Sequence, residues 1–362
     1  MKMTPRENLL SLYRRQGYEQ APIHMDLCPA QYRIFMQKTG ATEYEQFLEY
    51  FSFPYRVIPG LRALSRPAAE WGRYYPGGLK NGTWIDDWGI ARQPGSDPAS
   101  HLVQMLHPLE GDITMDDLKK YPFLRLDHGN EVEMRAQADA IKRNGLSAHG
   151  RMECTIWETS WYLRNMEDLM VDMMTGDEKA AFLLDTVTDI SVERASSFAR
   201  AGVDVLQLGD DIGMQRTTMM SLDLYREWLK PRLSRVIRAA REINPELLIY
   251  YHSCGYVKPF IPDLIEAGVD ILNPVQPECM DFGEIYALYG DLLSFNGVLG
   301  TQTTMPFGSP EDVRRVVFES LDIAGPKGGL FCCPTHTVEP EVPWENIEAY
   351  VQACREYPPQ KY

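Results

Sequence analysis

The chain has 362 residues, of which 44% are hydrophobic, and its 36 basic and 51 acidic residues give a formal net charge of −15. A chain of this length can bury a full hydrophobic core without disulfide or metal cross-links. Nucleic acids and anionic membranes select for basic protein surfaces, so the acidic balance argues against both as partners. No apolar run approaches the roughly 18 residues that span a bilayer.

The N-terminal residues combine apolar positions at helical spacing with mixed charges, and they contain no apolar signal-peptide segment. The chain has seven cysteines, an odd number scattered along its length. This distribution indicates reduced thiols rather than a disulfide framework. We therefore expect a cytoplasmic protein.

The first predicted strand covers Pro22–Leu27, and the residues that follow, up to about 130, are rich in aromatic residues, Pro and Gly. From about residue 147, short apolar runs alternate with amphipathic helices, which is typical of β/α units and a parallel sheet. The later predicted strands are Ser147–Met152, Val203–Leu208, Leu247–Tyr251, Val269–Asn273, Leu293–Phe295 and Gly329–Cys333.

Predicted helices separate these strands. One is capped near Ser221 and carries an apolar stripe from Leu224 to Ile243, and another runs from about Val257 to Ala267. A third begins at Ser309, where a capping residue precedes a Pro and two acids, and the last runs from Pro343 to about Tyr357.

The number and order of these strands and helices fit a closed barrel of eight strands better than an open parallel sheet. We expect an α/β protein that forms one (β/α)8 TIM barrel over residues 1–362, with an elaborated N-terminal region. No GxGxxG or GxxxxGK[ST] motif follows any predicted strand, so a dinucleotide-binding or P-loop fold has no support.

Polar residues directly follow four of the predicted strands. They are Asp210-Asp211, His252-Ser253-Cys254, the segment from Asn273 to Gln276, and Thr335-His336. In a β/α barrel the carboxyl ends of all strands open onto one face, and that face holds the active site. We therefore expect these residues, which are far apart in sequence, to converge in space.

A zinc site is the chemistry that His252 and Cys254 suggest, although an isolated His-x-Cys pair is more often structural. Zinc prefers thiolate and imidazole ligands, and catalytic zinc sites use three protein ligands and one open position. The third donor is His336, or one of Cys332 and Cys333. These two cysteines are adjacent on a predicted strand and face opposite sides, and both also fit small buried hydrophobic residues.

Asp210 and Asp211 are the candidate catalytic residues, as a general base, a proton donor or a metal contact. Asp also commonly caps the turn that follows it, which is the alternative role for either residue. The candidate substrate-binding residues are His24, Trp157, Glu158, Gln276 and Gln302. His24 fits a buried polar pair with Asp26 equally well, and Trp157 also fits simple packing at the barrel mouth.

Four segments of the C-terminal half carry a family resemblance: GDDIGMQRTTMMSLDLYREWLKPRL, YYHSCGYVKPFIPDLIEAGVDILNPVQP, SFNGVLGTQTTMPFGSPEDV and GGLFCCPTHTVEPEVPWENIEAYVQACREY. Together they resemble the uroporphyrinogen decarboxylase superfamily, and more narrowly its cobalamin-dependent methyltransferases. The resemblance covers the chain from about residue 147 to the end, and the opening TPRENLL with the following strand more loosely.

The resemblance implies a TIM barrel that binds zinc and moves a methyl group between a small methylated substrate and a corrinoid carried by a partner protein. Family members hold zinc through a His-x-Cys, which matches His252 and Cys254, and through a later Cys, which falls on His336 here. This departure argues against the thiol acceptor, coenzyme M, of some members and favours a demethylase. The chain has no DxHxxG-type cobalamin-binding run, so a corrinoid would come from the partner.

The first alternative is uroporphyrinogen decarboxylation itself. That substrate carries eight carboxylates, and the decarboxylases place an Arg-rich motif just after the first strand to pair with them. The corresponding stretch here, HMDLCPAQYRIFMQ, has Arg33 as its only basic residue. A second alternative, a non-catalytic small-molecule-binding barrel, would leave the converging polar residues without a role.

Overall fold

A computed structural model describes residues 2–64, 66–67, 70–95 and 103–358. The strands of these residues are, in chain order, β1 (Tyr55–Ile58), β2 (Arg62–Ala63), β3 (Trp84–Ile85), β4 (Ala91–Pro94), β5 (Val103–Leu106), β6 (Leu126–Asp127), β7 (Ser147–Arg151), β8 (Val205–Gly209), β9 (Leu248–His252), β10 (Ile271–Asn273), β11 (Ser294–Asn296) and β12 (Leu330–Phe331).

The α-helices of the described residues surround the strands. They are α1 (Pro5–Tyr13), α2 (Pro29–Thr39), α3 (Tyr44–Tyr50), α4 (Met115–Lys119), α5 (Glu131–Arg143), α6 (Trp157–Arg164), α7 (Met166–Thr175), α8 (Glu178–Ala201), α9 (Leu222–Trp228), α10 (Lys230–Ile243), α11 (Ile261–Ala267), α12 (Phe282–Tyr289), α13 (Thr304–Phe307), α14 (Pro310–Ala324) and α15 (Trp344–Glu356). Short 3-10 helices cover Gly72–Tyr74, His128–Asn130 and Lys258–Phe260.

Seven strands form one curled parallel sheet in the order β1-β7-β8-β9-β10-β11-β12. Because every pair in this sheet is parallel, the carboxyl ends of all seven strands lie at the same edge. Two small antiparallel sheets, β2-β6 and β3-β4-β5, are formed by the chain between β1 and β7. The predicted α/β class with a parallel sheet is therefore confirmed.

Six of the predicted strands are present, with ends that differ by one or two residues, but the strand predicted over Pro22–Leu27 is not. That segment is extended and makes a single parallel bridge, between Leu27 and Val338. The hydroxyl of Tyr350 on α15 accepts a hydrogen bond from the backbone N–H of His24 and donates to its carbonyl. The Tyr350 side chain thus forms the hydrogen bonds with the N–H and the carbonyl of His24 that a neighbouring strand would form in a sheet.

The helix predicted to run without interruption from Ser221 is divided into α9 and α10 at Leu229. Pro231 explains the break, because it lacks the N–H that a continuous helix needs and its ring crowds the preceding turn. The helix predicted after Ser309 is present, with the Ser309 hydroxyl accepting from the N–H of Asp312 in a complete capping box. No helix in the described ranges is long and apolar enough to cross a membrane.

Candidate functional site

A cavity of about 300 Å³ opens at the carboxyl edge of the parallel sheet. Its wall combines aromatic, charged and amide side chains from α1, the segment 24–26 and the sheet. Among them are Tyr13, Asp26, Tyr55, Arg151, Gln207 and Tyr250. His252 and His336 also line this cavity. Three of the four polar segments expected to converge thus contribute to this concave surface, through His252, Asn273 and Thr335-His336, whereas Asp210-Asp211 does not line it.

Three side chains form a cluster with the donor types of a zinc site, and two of them, His252 and His336, line this cavity. The ligand atoms of His252, Cys254 and His336 all lie within 4.8 Å of one another. The Sγ atom of Cys254 is 3.5 Å from Nε2 of His252, and the rings of the two histidines are 6.3 Å apart between centroids. His252 and Cys254 are partly buried, whereas His336 is exposed. The arrangement leaves the cluster accessible from the cavity.

The loop that carries Cys254 is held by side chains of two neighbouring loops. The backbone N–H of Cys254 donates to Oδ1 of Asp211 at 2.7 Å, and the N–H of Gly255 donates to Oε1 of Gln276 at 3.1 Å. Gly255 has φ of +84°, and a Cβ there would lie 2.7 Å from the carbonyl oxygen of Met214. Only glycine fits both the left-handed backbone and this close approach.

The hydrogen bonds of His252 indicate which ring nitrogen carries the proton. Nδ1 lies 2.6 Å from Oδ1 of Asn273, while Nδ2 of Asn273 donates to the carbonyl oxygen of Asn296 at 2.8 Å. Because a carbonyl only accepts, the Asn273 amide must direct its oxygen at His252. Nδ1 then bears the hydrogen, so in the neutral ring that a metal would bind, Nε2, which faces Cys254, is the nitrogen with the lone pair.

The two candidate catalytic acids have different positions. The carboxylate of Asp210 is buried and accepts hydrogen bonds from the backbone N–H groups of Ile156 and Glu158, at the start of α6. Neither Asp210 nor Asp211 is among the residues that line the cavity, and the hydrogen bonds of Asp210 to the start of α6 match the capping role. Asp211 instead places Oδ1 3.7 Å from Nε2 of His252, with 38% of its side chain exposed.

The substrate-binding candidates are only partly brought to the cavity. His24 lines it, with Nε2 3.9 Å from Asp26. Trp157 is fully buried, and Glu158 accepts from the Tyr162 hydroxyl and from the backbone N–H of Asp211, so both pack behind the wall.

Two further candidates also lie away from the wall. Gln276 braces the loop of Cys254, as described above, and the exposed Gln302 is tied through its backbone N–H to Glu278. Trp157, Glu158, Gln276 and Gln302 are not among the residues that line the cavity, and substrate contact by them stays a prediction.

The adjacent cysteines on and after β12 do not belong to the donor cluster. Cys332 and Cys333 are both buried, and burial raises the pKa of each thiol above its ordinary value. Cys333 faces the cavity and its thiol donates to Oδ1 of Asn296 at 3.3 Å. Of the three candidates for a third ligand, the geometry favours His336.

Several cavity residues were not recognised from the sequence. Arg151, Gln207 and Tyr250 lie on adjacent strands in one register row, and all three point into the cavity. Alternation within the predicted strand Ser147–Met152 places His149 and Arg151 on one face, which was an available signal. Alternation alone does not say which face is the inner one.

The comparisons with known proteins agree on a family. Residues 154–357, more than half of the chain, match the uroporphyrinogen decarboxylase (URO-D) family. A methylated-thiol–coenzyme M methyltransferase of Methanosarcina mazei is 29% identical over 211 residues, which are 56% of this chain and 51% of that protein. The chain thus aligns with about half the length of this curated relative.

A solved structure shares the fold. A methyltransferase from Methanosarcina mazei superimposes with a TM-score of 0.66 at 18% identity, over 98% of this chain and 99% of that one. At this level of identity the likeness establishes the fold alone.

Proposed function

The chain belongs to the uroporphyrinogen decarboxylase family, and from that membership we propose that it is a zinc-dependent methyltransferase. In this proposal a methyl group moves between a small methylated substrate and the cobalt of a corrinoid protein. The observation that carries it is the cluster of His252, Cys254 and His336 at the cavity. The alignment with a methylated-thiol–coenzyme M methyltransferase supports the methyl-transfer class.

The donor set fits zinc. Two imidazoles and one thiol match the nitrogen and sulfur ligands that Zn²⁺ prefers, and three protein ligands leave the fourth position for a substrate, as in catalytic zinc sites. Bound there, zinc would act as a Lewis acid on the heteroatom that carries the methyl group. The Nδ1–H of His252 bonded to Asn273 is the kind of outer contact that fixes the orientation of a metal-binding imidazole.

The residues of the chain supply the remaining functions. When the methyl group leaves, the bonding electron pair stays on the substrate heteroatom, which then needs a proton. The carboxyl group of Asp211, beside His252, is placed to donate that proton, and its carboxylate form would take the proton back in the reverse transfer. Tyr55 and Tyr250 provide aromatic walls that limit water around the substrate. We assign no catalytic step to Asp210.

We further propose that residues 1–362 form one barrel, with the segment 21–27 in the place of the eighth strand. The bridge from Leu27 to Val338 and the contact of the His24 and Tyr55 rings, 4.9 Å apart, support closure between the sheet's two edges. A corrinoid-binding partner would approach the carboxyl edge, where the cavity opens. We propose a cytoplasmic location on composition alone.

Two features of the cavity argue against porphyrinogen decarboxylation. Its volume of about 300 Å³ is at the low end of the roughly 300–1,000 Å³ typical of small-molecule sites. Arg151 is the one Arg or Lys among the described residues that line it, against the eight carboxylates of that substrate. A non-catalytic role is disfavoured by the donor cluster.

The function is tested with zinc-loaded protein, chemically reduced free cobalamin and a panel of methyl ethers, methyl thioethers and methylamines. We expect methylcobalamin to form from at least one class, and ethers to be preferred because His336 replaces a thiolate in the cluster. Absorbance spectroscopy follows the product, and the zinc-free protein is the control. Formation of a coproporphyrinogen from uroporphyrinogen, with no methyl transfer from any donor, would contradict the proposal.

A further inference from the structure

We propose that Arg151 forms a carboxylate-binding subsite in the cavity, so that the methylated substrate is a small carboxylic acid. This inference rests on the proposed function and specifies its substrate class. It is carried by the way Arg151 is held, by the unused edge of its guanidinium and by its position relative to the donor cluster.

Arg151 is held on its inner side by a series of hydrogen bonds that leads through buried side chains to Asp204. The Ser147 hydroxyl donates to Asp204, so it accepts from Nε2–H of His149 at 3.1 Å. Nδ1 of His149 then accepts from Nε2 of Gln207 at 3.2 Å, which turns the Gln207 oxygen toward Arg151. That oxygen accepts from Nε of Arg151 at 2.9 Å. Burial lowers the pKa of His149 to about 3, so this ring is neutral. Each hydrogen bond in the series from Arg151 to Asp204 is therefore donated in the same direction.

The outer edge of the guanidinium is unused. A guanidinium has five N–H donors, and in the described part of the chain only the Nε–H of Arg151 has a hydrogen-bond acceptor. The nearest carboxylate, Glu153, is 3.7 Å from Nε, beyond hydrogen-bond distance. The Arg151 side chain keeps 38% exposure, and it lines both this cavity and a neighbouring one beside α3 and α5.

This free edge matches a carboxylate. The two terminal N–H groups of a guanidinium form paired hydrogen bonds with the two oxygens of a carboxylate, and such pairs are stronger in a site that excludes water. Glu153 and Asp26, which also belong to the cavity, are the acidic groups that face Arg151. They balance its charge but leave its hydrogen-bonding edge available. Burial lowers the pKa of the neighbouring His24 to about 4, so His24 adds no charge.

The subsite and the donor cluster are separated by a short distance. Arg151 pairs with Gln207 and Gln207 with Tyr250 on three adjacent strands, and His252 lies two residues beyond Tyr250. Neighbouring strands are about 4.8 Å apart and each strand residue adds about 3.3 Å, so two strand spacings and two residues place the two backbones about 12 Å apart. Both side chains line the cavity between them. A compact acid therefore spans from Arg151 to the cluster, with its methylated heteroatom at the cluster.

Isothermal titration calorimetry with pairs of acids and amides tests the subsite without any corrinoid. The probes are methoxyacetate, 3-methoxypropionate and 4-methoxybenzoate, each paired with its neutral amide of nearly the same size. We expect the zinc-loaded wild type to bind at least one acid about 10- to 100-fold more tightly than its amide, as expected for hydrogen bonds to a charged group. Arg151→Gln should remove this preference, by weakening the binding of the acid much more than that of the amide. The matched control is Arg238→Gln, an exposed arginine of α10, which should keep it.

Two results would overturn the subsite: wild-type protein that binds no acid better than its amide, or an Arg151→Gln variant that weakens acid and amide equally. The first needs no variant, so a folding defect cannot obscure it. Failure of the proposed function is a separate result. In that case the acid preference and its loss in Arg151→Gln persist, while none of the methyl donors converts reduced cobalamin to methylcobalamin.

Discussion

Replacing Cys254 with alanine is expected to reduce methyl transfer to reduced cobalamin by more than about 100-fold. A Lewis-acid metal stabilises the transition state by several kcal/mol, and each 1.4 kcal/mol corresponds to about tenfold in rate. Cys254 is the only thiol of the donor cluster found in the described residues, and the two histidines alone would be a weak zinc site. The rate of methylcobalamin formation measures the effect.

The matched control is Cys279→Ala. Cys279 is also a partly buried free thiol in a loop at the carboxyl edge, but it is outside the cluster. We expect its replacement to leave the rate within about twofold of the wild type, since surface substitutions usually cost little. Equal rates for Cys254→Ala and the wild type would show that Cys254 has only a structural role.

Replacing Asp204 with alanine is expected to lower the free energy of unfolding by about 2–4 kcal/mol, slightly less than breaking a fully buried ion pair. Asp204 lies just before β8 with 7% of its side chain exposed. It accepts two hydrogen bonds from Arg6 on α1, at 2.7 and 3.0 Å, and its Oδ1 is 3.5 Å from Nζ of Lys142. Arg6 and Lys142 are partly exposed, so water can solvate their charges in the variant, and this makes the decrease in the free energy of unfolding smaller.

The effect of Asp204→Ala should depend on pH. Burial raises the pKa of Asp204, but the hydrogen bond from Arg6, the charge of Lys142 and the N–H of Ala148 together outweigh it, so the pKa lies below its ordinary value. A lowered pKa in the folded state adds stability above the unfolded value of about 3.9, and this stability is lost as the pH falls below it.

Urea denaturation at pH 7 and near pH 3 measures the change. The difference between variant and wild type should shrink at the lower pH. Asp291→Ala, which removes an exposed ion pair with Lys327, is the control and should change little at either pH. An equal loss for both variants at pH 7 would contradict the structural role of Asp204.

Much of the sheet was predictable from the sequence because buried parallel strands are short apolar runs between amphipathic helices. The runs that became β8 and β9 stand out for this reason. β1 was missed because its four residues include Arg56 and lie in an aromatic-rich region without regular spacing. The segment Pro22–Leu27 has the composition of a strand, but the Tyr350 hydroxyl bonds to both backbone groups of His24, a contact that the sequence does not reveal.

The metal-site hypothesis could also be formed from sequence, since residues at strand ends must meet at one edge. The roles of the two adjacent acids could not. Asp210 and Asp211 differ by one position, and only the three-dimensional fold places the backbone N–H groups of Ile156 and Glu158 against the first and His252 beside the second. Arg151 was missed for a related reason. Alternation along a strand defines two faces, but only the curvature of the whole sheet determines which of them points into the cavity.

The metal content of the protein, purified without added metal or chelators, tests the central claim most directly. Elemental analysis by mass spectrometry should find about one zinc per chain in the wild type and little in variants that lack His252 or Cys254, because each ligand is needed for a three-donor site. Wild-type protein that is folded and contains no zinc, and that takes up none on titration, would contradict the claim.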